Sequence, residues 1–365
     1  KPGDVVEIPE GTFAFTRGLS LKANGITIRG AGMNKSILSF KTQAQGAEGL
    51  IITGNDITLE GFAVEDAKGD AIKINECENL VIRDIRVEWT NGPDIDNGAY
   101  GLYPVQCKNV LIEKSVAIGA SDAGIYVGQS TQVIVKNNRA EYNVAGIEIE
   151  NTTDADVFDN VATNNTGGIL VFNMPNLPQP GARTRVFNNQ VFANNTTNFA
   201  PEGTAVSSVP AGSGVVINSN DEVEIFANQI SDNNTANIII SSYFSTGYSD
   251  SSTSESFDPY PEAIYIYDNE FKGGGESPDG LDLKALKLAK YGLTGRLPDI
   301  LWDGFVNKEI LAEGKLPQDK AICVQNGEAI MLNVDGPNGF SNLSEDMANH
   351  QCELPKLPAV EYPFS

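Results

Sequence analysis

The sequence predicts an all-β solenoid, a chain wound into a parallel β-helix with about 22–24 residues per coil. Three observations carry that prediction. First, one unit recurs within 122–173: DAGIYVGQSTQVIVKNNRAEYN is followed by VAGIEIENTTDADVFDNVATNN, and a third copy begins with TGGILVFN. Second, small residues lead each copy into a strand, at Ala123-Gly124-Ile125, Ala145-Gly146-Ile147 and Gly167-Gly168-Ile169. Third, each copy then holds a polar turn, a second alternating strand and an Asn corner, Asn138 or Asn160. Strands this short cannot bury a face alone, so each coil must stack on its neighbour.

The same frame runs from the N-terminus. Strand segments align at Ile26–Gly30, Ile57–Gly61, Leu80–Asp84, Val110–Lys114 and Val133–Asn137. Alternation turns the first and third residue of each inward. The fourth position faces out and reads Arg29, Glu60, Arg83, Glu113, Lys136, so neighbouring rungs carry opposite charge. That is the favourable cross-strand pattern for a parallel stack. Further along, the column becomes Phe158, Phe187, Phe226, Tyr267, which either packs on itself or offers a platform for sugar rings. Beside it runs Asn138, Asn160, Asn189, Asn228, Asn269, a corner column in which each Asn can hydrogen-bond the next.

The other recurrent strand has the outward column Lys73, Tyr103, Tyr126, Glu148, then Leu170, Val216, Ile239. Its first half is rich in reactive groups and its second half is apolar. Long connections gather around it, at 88–98, 173–185, 195–212 and 242–262, the last polar and low in complexity. In a solenoid, insertions on one side mark the working face. After Gly273-Gly274-Gly275 the repeat fails, and LDLKALKLAKY over 281–291 predicts a short amphipathic helix. The expected division is a β-helix over 1–275 and, over 276–365, a C-terminal cap with that helix and further β-structure. A cap hides the open end of the coil.

Composition narrows the function classes. A net charge of −23 argues against nucleic acid, whose binding rests on clustered Lys and Arg. No run of about 20 apolar residues is present, so no membrane-spanning helix is expected. The chain starts at Lys1 with no visible signal peptide, as expected of a processed protein. Cys77 and Cys107 fall at one position of successive coils, within reach of a disulfide or of stacked free thiols. Cys323 and Cys352 could staple the cap. An even count with two possible pairs points to an oxidising, periplasmic or extracellular setting.

The repeat resembles right-handed single-stranded parallel β-helix proteins of the NosD and mannuronan-epimerase type. The runs DNGAYGLYPVQCKNVLIE, GASDAGIYVGQS, NVAGIEIENT and NTGGILVFNMPNLPQ resemble an exported bacterial branch of them, over roughly residues 1–345. The resemblance implies a right-handed coil, export and a carbohydrate-active superfamily. It transfers no catalytic residue. The epimerases carry a catalytic His on the helix face, whereas the one His here, His350, lies in the cap region and is expected to be a surface or packing residue. The Asp cluster and RIK-type strand of the pectin hydrolases have no counterpart.

The residues themselves offer three chemistries. Lys73, Tyr103, Tyr126 and Glu148 form a line of adjacent rungs about 15 Å long. Lyase or epimerase chemistry on an acidic polysaccharide needs a base, an acid and a group that neutralises the substrate carboxylate, and a Lys with two Tyr could serve. Asp122, Glu150, Phe172 and Trp89 flank that line as candidate substrate contacts. Asp94, Asp96 and Asn97 before Gly98 resemble a calcium loop, with hard oxygen donors at alternate positions, and also suit a plain turn. Glu148 and Glu150, on one face about 6.6 Å apart, could form an inverting hydrolase pair. The expected function is an exported carbohydrate-active protein that acts on or binds an acidic polysaccharide, or an oligosaccharide of it, by lyase- or epimerase-type chemistry on the outward face of the β-helix. The alternative is a non-catalytic binding or scaffold protein that serves a protein partner.

Overall fold

The computed structural model describes residues 1–247 and 256–363. It is a parallel β-helix, with strands in one sheet of 11 and one of 19. One regular coil shows the construction. Strand Ala123–Gly128 is followed by Thr131–Lys136 and by a short third strand, Arg139–Glu141, before the next coil starts at Ala145–Glu150. The third strand is a correction: the sequence reading placed two strands per coil. At three residues it is too short for alternation to reveal.

Each coil turns inward with an aliphatic residue and stacks like on like. Register joins Ile125 to Ile147, Ile147 to Ile169, Ile169 to Val215, and Val215 to Ile238. These side chains are fully buried and belong to one continuous core running from Ile26 to Met331. Coil repeats that lengthen beyond 22 residues do so in loops, while the register of the strands is kept.

Two corners are sealed by Asn ladders. At the first, Asn138 Nδ2 donates to Asn160 Oδ1 at 3.1 Å, and Asn160, Asn189 and Asn228 each donate to the next Asn, the last to Asn269. A second ladder, Asn143, Asn165, Asn194, Asn233, closes the corner before the next coil. The ladder Asn is not itself the left-handed residue; the one before it is. Asn137, Asp159, Asn188, Ala227 and Asp268 all have φ between 53° and 55°. That step turns the chain, and the Asn side chain then pairs the backbone groups the turn leaves open.

On the 19-stranded sheet, Arg29–Glu60 and Arg83–Glu113 are ion-paired, and Lys136 Nζ lies 3.5 Å from Glu113. The aromatic column stacks with centroids 4.7, 4.9 and 5.0 Å apart from Phe158 to Tyr267. It packs on itself, with the Arg185 guanidinium 4.8 Å from the Phe187 ring.

Past residue 275 the coil continues, which corrects the expected boundary. Ile300–Trp302 and Met331–Asn333 extend the 11-stranded sheet, and Ile322–Gln325 extends the other. The helix Leu281–Tyr291 falls where the sequence placed it, as an insertion whose Leu286 joins an apolar group with Leu297, Leu301 and Leu332. His350 packs: Nδ1 lies 2.9 Å from Ile322 O and the ring meets Trp302 edge-on. Cys77–Cys107 and Cys323–Cys352 are both disulfides. Residues beyond Cys352 then run back along the 19-stranded sheet, from Leu357 at Glu224 to Val360 at Asp156. Among the described residues no helix is long and apolar enough to cross a membrane. The middle of the low-complexity loop, 248–255, lies outside the described residues.

Candidate functional site

Four adjacent strands of the 11-stranded sheet build the site: Ile72–Asn75, Tyr100–Val105, Ala123–Gly128 and Ala145–Glu150. Register places Tyr103 beside Lys73, and Tyr126 beside Glu148 on the next pair of rungs. Glu150 sits opposite Gly128. The Tyr126 ring lies over Gly128, where a Cβ would come 2.4 Å from Tyr126 Cε1 and 2.6 Å from its hydroxyl. Only glycine leaves that lane open. Tyr126 therefore reaches across the rung and donates to Glu150 Oε1 at 2.6 Å, while Gln129 Nε2 donates to the Tyr126 hydroxyl at 3.2 Å.

Behind Glu150 lies a group of carboxyls. Glu148 is within hydrogen-bonding reach of both Asp122 and Glu150. It is 1% exposed, and its Oε2 has no donor among the described residues. Burial pushes the pKa of Glu148 well above the usual carboxylate range, and the charges of Asp122 and Glu150 push it further. Asp122 and Glu150 are raised in turn, both chiefly by burial. Like charges this close cannot all ionise. A proton shared along Asp122, Glu148 and Glu150 relieves that repulsion. Asp70, at the edge of the group, is raised to about 6 by burial, and Tyr103 to about 12 for the same reason.

The line from Lys73 to Glu148 is not an open ladder. Tyr126 and Glu148 are both buried, and Tyr126 belongs to one apolar cluster with Ala145, Leu170 and Phe172 and with Val206 and Val209 of the 195–212 connection. Asn198 holds that connection in shape by donating to the carbonyls of Val206 and Val209, each at 2.9 Å. Asp70, Lys73, Tyr100, Tyr103 and Glu150 are half-buried and make up the accessible edge of the group, its mouth toward solvent. Tyr100, Tyr103 and Tyr126 pack ring on ring, with centroids 4.4–5.0 Å apart, and Lys73 Nζ lies 5.0 Å from the Tyr103 centroid.

Two expected contacts lie elsewhere. Trp89 is 4% exposed in the central core and its indole donates to Ala67 O at 2.7 Å, so it cannot face a ligand. Phe172 is buried in the apolar cluster that includes Val206 and Val209. In the 94–98 turn, Asp94 Oδ1 accepts from Asp96 N at 2.9 Å, and the Asn97 amide donates to Gly92 O and Gly119 O. Those bonds are what a turn needs.

Residues missed from sequence are Asp70, Tyr100 and Gln129. Asp70 and Asp122 share a signal, since Gly69-Asp70-Ala71 and Ser121-Asp122-Ala123 each lead into a strand of this sheet. Tyr100 stands at the first position of its strand, in register with Ala123, where other coils carry a small residue.

The family described as right handed beta helix region matches residues 20–179. Among curated proteins, the preneck appendage protein of Bacillus phage PZA and the pre-neck appendage protein of Bacillus phage phi29 are each 26% identical over 220 residues. Those matches cover 44% of this chain, which spans about a quarter of the relatives' length (26%). Among solved structures, the Azotobacter vinelandii mannuronan C-5 epimerase AlgE4 A-module superposes with a TM-score of 0.51 at 15% identity, over 82% of this chain and 83% of that one. DFA-IIIase from Arthrobacter chlorophenolicus A6 in complex with GF2 gives 0.51 at 10% identity over 83% of each chain. At these identities the likeness is one of fold. With its stacked coils and these neighbours, the chain has the right-handed parallel β-helix fold.

Proposed function

We propose that this protein is carbohydrate-active and takes a glycan at the mouth formed by Asp70, Lys73, Tyr100, Tyr103 and Glu150. The observation that carries this reading is the buried carboxyl group Asp122–Glu148–Glu150, whose members burial holds above the ordinary carboxylate range beside the half-buried rings of Tyr100 and Tyr103. Perturbed carboxyls in a recess are what acid–base chemistry requires. Glu150 stands nearest the solvent. With Oε1 fixed by Tyr126, its other oxygen is left to protonate a glycosidic oxygen, and Glu148 behind it can replace the proton. Tyrosine faces suit sugar rings.

Charge bears on the substrate. The site gathers the four carboxyls Asp70, Asp122, Glu148 and Glu150, with Lys73 beside Asp70, on a chain of net charge −23. A neutral or sparsely charged glycan meets less repulsion there than a polyuronate. Lyase or epimerase chemistry on an acidic polysaccharide would rest on Lys73 alone to neutralise the substrate. The two disulfides support an exported, oxidising setting.

A second reading, non-catalytic binding, draws support from the burial of Tyr126 and Glu148 and from the appendage proteins among the relatives. One experiment separates the readings. Wild-type protein and Glu150→Gln are incubated with neutral and uronate oligosaccharides, and binding and products are both measured. Catalysis predicts product from the wild type and binding without product from the variant. Binding by both with product from neither favours the second reading, and no binding by either removes the glycan proposal.

A further inference from the structure

A second acidic group lies on the other sheet. Strands Asp221–Phe226 and Glu262–Tyr267 are parallel neighbours, and their first residues, Asp221 and Glu262, stand in register. Asp258 joins them from the preceding loop. That loop is pinned: Tyr260 N donates to Asp258 Oδ1 at 3.0 Å, and Pro259 O accepts from Ser219 Oγ at 2.7 Å and from Tyr243 N at 3.0 Å. Carboxylate oxygens from Asp221, Asp258 and Glu262 all lie within 4.8 Å of one another.

Acidic groups gather on surfaces without any ligand, but this one contains an orphan. Glu262 is 2% exposed. Its Oε2 takes Lys320 Nζ at 2.6 Å, while Oε1 is buried with no partner among the described residues. Three carboxylates against one ammonium leave two negative charges uncompensated, and Asp319 adds to the field at Glu262. A hard divalent cation would answer the residual charge and the orphan oxygen together.

We propose that Asp221, Asp258 and Glu262 bind a calcium ion, at a site distinct from the carboxyl group around Glu148. Calcium accepts single carboxylate oxygens, carbonyls and water in a loose shell of six to eight ligands. Magnesium demands a regular octahedron and gives up its water reluctantly, so it fits three protein oxygens of mixed origin less well. A cavity of about 360 Å³ lined by Asp221, Asp319 and Lys320 offers a way in. An ion here would tie the end of the 242–262 connection to the coil wall. Lys320 is the built-in competitor, holding Glu262 when calcium is scarce.

Terbium, a calcium stand-in excited through tyrosine, tests this on the full chain stripped with EGTA, because Tyr260 lies within two residues of both Asp258 and Glu262. The expected result is saturable emission from one ion per chain, displaced by calcium and weakened about tenfold or more by Asp258→Asn. Lys320→Met should tighten binding. The double variant Asp94→Asn/Asp96→Asn, in the turn near the mouth, should leave it unchanged, as should Glu150→Gln. Calcium should also raise the melting temperature of the wild type. Emission that survives Asp258→Asn, or is lost in Asp94→Asn/Asp96→Asn, overturns the proposal. So does a wild-type melting temperature that calcium does not move. No glycan enters the measurement, so its failure and that of the carbohydrate reading are separate results.

Discussion

Tyr126 donates its hydroxyl to Glu150 Oε1 at 2.6 Å, and it does so through space that Gly128 leaves empty. The bond holds the outermost carboxyl of the buried group in place. Tyr126→Phe keeps the ring packing and removes the donor, leaving a half-buried carboxylate oxygen unpaired. A loss of about 1–3 kcal/mol is expected by urea denaturation. Gly128→Ala should produce a loss of similar size by displacing the ring, although it deletes no polar atom. If Gly128→Ala is neutral while Tyr126→Phe is not, the lane over Gly128 is not what positions the hydroxyl.

The buried carboxyls set the sign of the pH dependence. Asp70, Asp122, Glu148 and Glu150 hold protons more tightly when folded than their ordinary values near 4. The folded state then binds more protons than the unfolded state, and stability falls as pH rises above about 4. Asp70 contributes up to about pH 6, and the group around Glu148, together with Asp221 on the other sheet, which burial raises to about 8, carries the fall higher. Glu113, held low by Arg83, acts with the opposite sign but below its ordinary value, outside this window. Denaturation midpoints should therefore drop between pH 5 and pH 8, by something of the order of 1–3 kcal/mol. Glu148→Gln should flatten that slope, and a variant that keeps the full slope would place its origin elsewhere.

How much of this was legible follows from what repeats. The coil was visible because Ile125, Ile147 and Ile169 recur in register and each is held by the same inward packing. The first Asn ladder was visible for the same reason. The second was equally periodic, at Asn143, Asn165 and Asn194, but it adjoins the small residues that open the next strand and was absorbed into that turn. The outward line Lys73, Tyr103, Tyr126, Glu148 was legible as a column. The burial of Tyr126 was not, because its apolar cluster takes in Val206 and Val209 from 195–212, which lies in no repeat. Trp89 shows the same limit from the other side. A Trp beside a long loop resembles a ligand contact, and only the fold shows its indole bonded to Ala67 O inside the core. Beyond 275 the coil went unrecognised because three-residue strands separated by long excursions leave no period.

The Asn ladder makes a sharp stability prediction. Asn160 accepts from the backbone N and the side chain of Asn138, and donates to Val135 O at 2.9 Å and to Asn189 Oδ1 at 3.0 Å. Asn160→Ala strands the Asn138 N–H and the Val135 carbonyl in a buried corner. Two orphaned groups should together remove about 2–5 kcal/mol, measured as a lower urea midpoint at unchanged circular dichroism. Arg139→Ala, on the exposed side of the same corner, should shift the midpoint by less than about 1 kcal/mol, since its partner Glu141 is a surface ion pair.

The C-terminal strap should contribute to stability without being needed for the coil. Leu357 N donates to Glu224 Oε2 at 2.8 Å, Val360 N to Asp156 Oδ2 at 3.0 Å, and the Tyr362 hydroxyl to Leu80 O at 3.2 Å. Lys356 Nζ lies 4.9 Å from the Tyr267 centroid. Asp156 and Glu224 keep other partners in Arg185 and the Tyr267 hydroxyl, so losing the strap leaves neither carboxylate alone. A chain ended at Cys352 keeps the Cys323–Cys352 disulfide. It should fold to the same β-rich spectrum with a denaturation midpoint lower by about 1–3 kcal/mol. Hydrogen exchange should rise on 156–158, 185–187 and 224–226, the rungs the strap crosses, while the 145–150 strand on the opposite sheet stays protected. Equal protection on both sheets after truncation would mean that the strap lies on a face that holds itself.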